Sequence, residues 1–180
     1  MNVCIFCGSA SGIRKDYAEA AAEMGGLICQ SKSSLIYGGG NIGLMGIVAD
    51  EVMRLGGNVI GVIPDFLLKR EVAHKGITQL EVVSSMHERK RRMADLADTF
   101  IAMPGGWGTL DELAEILTWK QLGLVQASVG LLNTSGYFNA LVQQMNVMVE
   151  EGFLQPRYLE DLKISDSPRQ LLNQLGVFTV

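Results

Sequence analysis

Two stretches hold side chains that could do chemistry together: "MPGGWGTLDE", which begins at Met103, and "MHERKRRM", which begins at Met86. The first supplies Gly105, Gly106 and Gly108, then Thr109, then the acids Asp111 and Glu112. Backbone N–H groups at a helix start have no intrahelical partner and carry partial positive charge. Glycine lets such a backbone approach a phosphate closely, and the Thr109 hydroxyl adds a donor. Two carboxylates beside an anion seat present a conflict. Either they are ordinary dipole partners of a first helical turn, or they act on something that the loop holds. The second stretch places Arg89, Lys90, Arg91 and Arg92 in a row. Consecutive helical residues point in different directions, so only one or two can face a ligand. Arg91 and Arg92 read as a solvated face. Basic residues at a helix N-terminus oppose its dipole. Arg89 and Lys90 make more sense there if an anion or carboxylates sit opposite.

Other chemistries find less support. "GGWGT" is neither G-x-G-x-x-G nor G-x-x-x-x-G-K-[ST], so a dinucleotide oxidoreductase or a Walker-type ATPase is not supported by motif. After "NVIGVIP" comes Asp65, which follows a proline and reads equally as a helix cap. Cys4 and Cys7 form C-x-x-C inside an apolar strand pattern with no second pair, so a buried structural role is expected. His87 reads as structural and His74 as a loop surface residue. No His/Cys/Asp cluster suggests a metal, and no cofactor is implied.

The elements that must position these residues alternate. Strands are predicted at "NVCIFCGS", "SLIYGGG", "NVIGVIP", "TQLEVVS", "TFIAMPGG" and "SVGLLN", with a short one near 162–165. Helices are predicted over 15–30, 44–55, 86–96, 110–122, 137–151 and 167–175. In the fourth of these, Leu110, Leu113 and Leu117 fall at core spacing, and Asp111, Glu115 and Thr118 share another face. Strand–helix alternation with continuous apolar strands implies an α/β fold: a doubly wound parallel sheet with helices on both faces. Ligands of such sheets bind at the carboxyl ends of strands. Three of those ends carry glycine: "CGSASG", "YGGGNIGLMG" and "MPGGWGT". All three should line one edge.

The chain has 180 residues, 48% hydrophobic and 19% charged, with a formal net charge of −4. It reads as a single domain over 1–180 with room for a sizeable core. Its charge does not favour nucleic acid or an anionic membrane surface. No apolar run reaches a membrane span, and no signal peptide is expected. Three cysteines, an odd and small number, point to a reducing cytoplasm without disulfides.

Together, "PGGWGTLDE" and "MHERKRRM" resemble the two signatures of the LONELY GUY family, P-G-G-x-G-T-x-x-E and M-x-x-R-K. Members of this family are often labelled lysine decarboxylases. The resemblance extends from "CIFCGSASG" through "YGGGNIGLMGIVAD" to "VGLLNTSGYFNALV" and "EEGFL". It implies a Rossmann-like fold, a homodimer with sites near the interface, and an N-glycoside hydrolase. Relatives release adenine-type bases and ribose 5-phosphate from cytokinin riboside 5′-monophosphates, and several act on AMP. By the resemblance, Arg89 and Glu112 are catalytic. Lys90, Thr118, Glu71 and the loop Gly106, Trp107, Gly108, Thr109, Leu110, Asp111 and Glu112 contact substrate, with Arg89. Decarboxylation of lysine would need pyridoxal phosphate on a Schiff-base lysine, and no lysine sits in such a context. The competing class is a carrier for a nucleotide or molybdopterin-type cofactor with no chemistry. A third is a nucleoside-monophosphate nucleosidase unrelated to cytokinins.

Overall fold

The computed structural model describes residues 1–68 and 73–178. Among them, seven strands form one sheet: β1 (Asn2–Phe6), β2 (Ser34–Tyr37), β3 (Asn58–Pro64), β4 (Gln79–Val83), β5 (Thr99–Ala102), β6 (Ser128–Leu132) and β7 (Lys163–Ser165). Their order is β4-β3-β2-β1-β5-β6-β7, and every neighbouring pair is parallel. The helices are α1 (Lys15–Gln30), α2 (Gly43–Arg54), α3 (Met86–Leu96), α4 (Trp107–Gln121), α5 (Asn139–Glu150), α6 (Pro156–Glu160) and α7 (Pro168–Gln174).

Side chains alternate across a strand, so each strand feeds two cores. Val3, Ile5 and Cys7 join one cluster with α1, α2 and α7. Cys4 and Phe6 join the other, with residues of α3, α4 and α5. Leu35 and Tyr37 oppose Ile36 in the same way, and Ile101 and Met103 oppose Phe100 and Ala102. Both sheet faces are therefore covered, as the continuous apolar strands require.

The chain runs outward from β1 to β4, then returns to place β5 on the other side of β1. The sheet thus switches direction between β1 and β5, and a crevice opens at their carboxyl ends. Glycine-bearing ends follow β1, β2 and β5, three neighbouring strands, so all three line one edge as expected. The loops also touch there. Gly8 N–H donates to Pro104 O at 3.0 Å, and Leu44 N–H donates to Gly8 O at 3.0 Å.

Several expectations need adjustment. The fourth helix starts at Trp107 rather than residue 110, so "WGT" is its first turn. Only Leu113 of the three spaced leucines is buried, at 2% exposure. Leu110 and Leu117 are half-buried against the same core cluster and also border an apolar groove. The fifth helix starts at Asn139 after a short 3-10 turn, Thr134–Gly136, and α6 was not foreseen. His74 is not a free surface residue. Its Nε2 lies 2.8 Å from Asp50 Oδ1 on α2.

Candidate active site

Arg89 is placed by the start of α3. Ser85 caps that helix by accepting from Glu88 N–H at 3.2 Å. The Glu88 carboxylate accepts in turn from Ser84 N–H at 2.8 Å and the Ser84 hydroxyl at 2.6 Å. This reciprocal cap fixes the first turn. It also holds the Glu88 carboxyl below its usual range, chiefly through the Ser84 hydroxyl. One residue later the Arg89 side chain runs beneath the strand ends, only 6% exposed. Its Nε donates to Val62 O at 3.1 Å and a terminal nitrogen donates to Gly38 O at 3.0 Å. Gly38 has to be glycine for this: a Cβ there would fall 2.0 Å from the same guanidinium nitrogen.

The glycine loop leads into α4. Gly106 is the helix N-cap, and the first α-helical backbone bond runs from Leu110 N–H to Gly106 O, 3.2 Å. The N–H groups before it are the orphan donors of a helix start. Thr109 is buried, and its hydroxyl lies 2.1 Å from where a Cβ on Gly105 would stand. A side chain at 105 would evict it. At Gly106 and Gly108, by contrast, an added Cβ would meet open space, which keeps that face of the loop accessible to a ligand.

A cavity of about 180 Å³ opens where these parts meet. Arg89, Gly106, Trp107, Gly108, Thr109 and Glu112 all border it. The sequence reading therefore brings together six of its site residues. Cys7, expected only as a buried structural thiol, Gly8 and Ser9 from the β1 end, and Met45 from α2 complete the wall, and none of these was named as a site residue. "CGSASG" was the available signal, as a glycine loop destined for the same edge. Burial pushes the Cys7 thiol well up, and the Glu112 charge adds to the shift, so it stays a neutral thiol. Trp107 stands at the rim, 88% exposed.

Other expected residues lie elsewhere. The Lys90 ammonium sits 3.1 Å from both Asp111 Oδ2 and Glu115 Oε2, tying α3 to α4. Burial works against its charge, but the hydrogen bonds to Glu115 and Asp111 outweigh that and raise its pKa. Leu110 and Thr118 border the apolar groove, and the Thr118 hydroxyl donates to Ala114 O at 2.7 Å. Arg91 is solvated and paired with Asp95, as expected, whereas Arg92 makes a two-pronged pair with Glu81 of β4. Glu71 lies outside the described residues. Among the described residues no cluster of ligand-type side chains could hold a metal ion.

A parallel sheet that switches direction between two glycine-loop ends defines a Rossmann-like class of α/β protein. Solved structures share this fold. The molybdenum cofactor binding protein of Rippkaea orientalis superposes with a TM-score of 0.74 at 20% identity, covering 97% of this chain and 94% of the other. The Moco carrier protein of Chlamydomonas reinhardtii gives 0.73 at 18% identity, covering 98% of each chain. Sequence comparison goes further. The family described as "Possible lysine decarboxylase" matches residues 45–175. A cytokinin riboside 5′-monophosphate phosphoribohydrolase of Arabidopsis thaliana is 44% identical over 173 residues, 96% of this chain and 80% of the relative. Another from the same plant is 42% identical over 177 residues, 98% of this chain and 82% of the relative. The chain belongs to the LONELY GUY family. The decarboxylase wording of the family finds no counterpart in the site, where Lys90 is committed to two carboxylates.

The Arg89 lock is open to test by stability. Gly38→Ala should force the guanidinium off its two carbonyls and cost about 1–3 kcal/mol, the penalty for leaving buried polar groups unpaired. Urea unfolding measures it, and an unchanged midpoint would count against the lock.

Proposed function

We propose that this protein hydrolyses the N-glycosidic bond of cytokinin riboside 5′-monophosphates, and of AMP, to an adenine-type base and ribose 5-phosphate. Membership of a family whose relatives bear that activity in their names supports the reaction class. The observation that carries it to particular residues is the sharing of one cavity by Arg89, Glu112 and the helix-start glycine loop. The 5′-phosphate sits on the N–H groups from Gly106 to Thr109. The ribose extends past it, toward Glu112. Hydrolysis breaks the bond from the anomeric carbon to the base nitrogen. The electron pair leaves with the base, and water oxygen takes its place. Positive charge builds on the ribosyl ring on the way. The Glu112 carboxylate stabilises that charge or takes the proton of the attacking water. Arg89 supplies the opposing positive charge and favours ionised Glu112. One of the water's two protons ends on the departing base, by way of Glu112 where that carboxylate has taken it, and the other stays on the new anomeric hydroxyl, with no dedicated acid required. The chain acts as one nucleotide-binding unit. Free Cys4, Cys7 and Cys29 support a cytoplasmic setting, and no helix among the described residues is long and apolar enough to cross a membrane.

The assembly we propose is a homodimer joined through α4 and α5. A groove of about 420 Å³ runs between them, bordered by Leu110, Leu117, Leu141, Met145, Met148 and Phe153. Phe153 is 86% exposed, and only Met145 of α5 is buried. Such an apolar surface is unusual on a protein that works alone. Phe153→Glu should shift the chain from dimer to monomer in sedimentation velocity. A wild-type monomer at high concentration would remove the dimer.

Base release from AMP, GMP, CMP and isopentenyladenosine monophosphate tests the activity. Free adenine-type base is expected from the first and last. Nucleotide binding without any base release would favour a carrier. Glu112→Gln and Arg89→Ala should each lower kcat by at least about 100-fold, the scale of a lost general base or charge-stabilising group. Full activity in Glu112→Gln would take that residue out of the chemistry. Gly108→Ala should leave the fold at least as stable, since alanine favours a helix by about 1 kcal/mol. It should nevertheless raise KM, because its methyl would occupy the phosphate's approach.

A further inference from the structure

A second cavity, of about 350 Å³, adjoins the first at the glycine loop. Gly8, Ser9 and Gly106 border both, whereas Gly105, Tyr17 and Tyr137 border only the second. Tyr137 reaches across it, and its hydroxyl donates to the Gly105 carbonyl. The turn that carries Tyr137 is built with unusual care. Ser135 adopts a left-handed φ of 55°, and its hydroxyl donates to Asp16, which also holds Arg14 at 2.7 Å. Asn133 Oδ1 accepts from Phe138 N–H at 2.7 Å, and Phe138 is buried. The Tyr137 ring stands edge-on to Phe138 and to Tyr17, with centroids at 5.0 and 5.6 Å.

The carbonyl that Tyr137 grips belongs to the peptide joining Gly105 to Gly106. A trans peptide is planar, so its C=O and N–H point in opposite directions. Fixing the Gly105 oxygen toward Tyr137 sends the Gly106 N–H away from Tyr137, and the cavity of Arg89 and Glu112 is bordered by Gly106 but not by Gly105 or Tyr137. A peptide flanked by glycine on both sides has little steric resistance to flipping, because glycine accepts positive and negative φ alike. The loop therefore needs an external lock.

We propose that Tyr137 is a positioning residue that sets the orientation of the Gly105–Gly106 peptide and so aims the Gly106 N–H at the substrate's phosphate. This rests on the phosphoribohydrolase reading above. Tyr137 touches no reacting atom. It acts through the loop, on binding more than on bond breaking.

Tyr137→Phe keeps both ring contacts and removes only the hydroxyl. KM for AMP and the inhibition constant of ribose 5-phosphate should rise together by about tenfold, the scale of one misdirected hydrogen bond to a charged group. The fall in kcat should be smaller than twofold, and the melting temperature should hold. A double-mutant cycle with Gly106→Ala separates orientation from simple support. Flipping the peptide would push residue 106 to positive φ, which alanine resists. Tyr137→Phe should therefore cost much less in the Gly106→Ala background than in wild type. Equal cost in both backgrounds, or unchanged KM and inhibition constant in folded Tyr137→Phe, overturns the proposal. Absence of base release by the wild type itself overturns the phosphoribohydrolase reading instead, and this inference with it.

Discussion

A guanidinium stays in a protein interior only where fixed acceptors meet it, and Arg89 finds two in the carbonyls of Gly38 and Val62. Much else follows from that arrangement. The carbonyls belong to the β2 end and to β3, so the arginine reads the position of two neighbouring strands at once. It reaches them because the cap at Ser85 fixes the first turn of α3. It fits because residue 38 has no side chain. The positive charge is thus built into the frame of the sheet rather than carried on a mobile arm. A charge fixed before substrate arrives costs no reorganisation when the reaction needs it.

Opposite it, α4 brings the glycine loop and Glu112 from the far side of the switch between β1 and β5. Lys90, one residue after the buried arginine, bridges to Asp111, one residue before the glutamate. Adjacent residues on each helix therefore divide the work. One of each pair faces the cavity, and the other ties the two helices together. The Lys90 pairing with Glu115 adds a second point to the tie. In this way the spacing between the cavity-facing charges depends on a contact outside the cavity.

Much of this was legible in the sequence. Continuous apolar strands alternating with amphipathic helices specified the covered parallel sheet, and glycine at three strand ends located the edge. Helical geometry and the dipole narrowed the basic run to Arg89 and Lys90, and it was the family resemblance that singled out Arg89. What was not legible depended on non-local placement. Lys90 and Asp111 meet only because α3 and α4 lie side by side, which no spacing within either helix reveals. Cys7, Ser9 and Met45 enter the cavity wall from β1, its loop and α2. The start of α4 was placed three residues late because Gly-Trp-Gly-Thr has no helical pattern of its own. The leucines of that helix were legible only in part. Their spacing marks a shared face: Leu113 is buried, and Leu110 and Leu117 pack against the same core while also bordering the outer groove. Periodicity reports that a face is apolar and leaves open what covers it.

That groove gives α4 a double character. At its N-terminus the helix forms the cavity, and along one flank it forms the wall of an apolar channel with α5. A helix moves as a rod, so a partner packed on the flank restrains the end that faces the substrate. In the proposed dimer, catalytic competence and self-association would draw on the same rigid body, and dilution would become a form of inactivation. The molecule would sense its own abundance through the helix that holds its substrate.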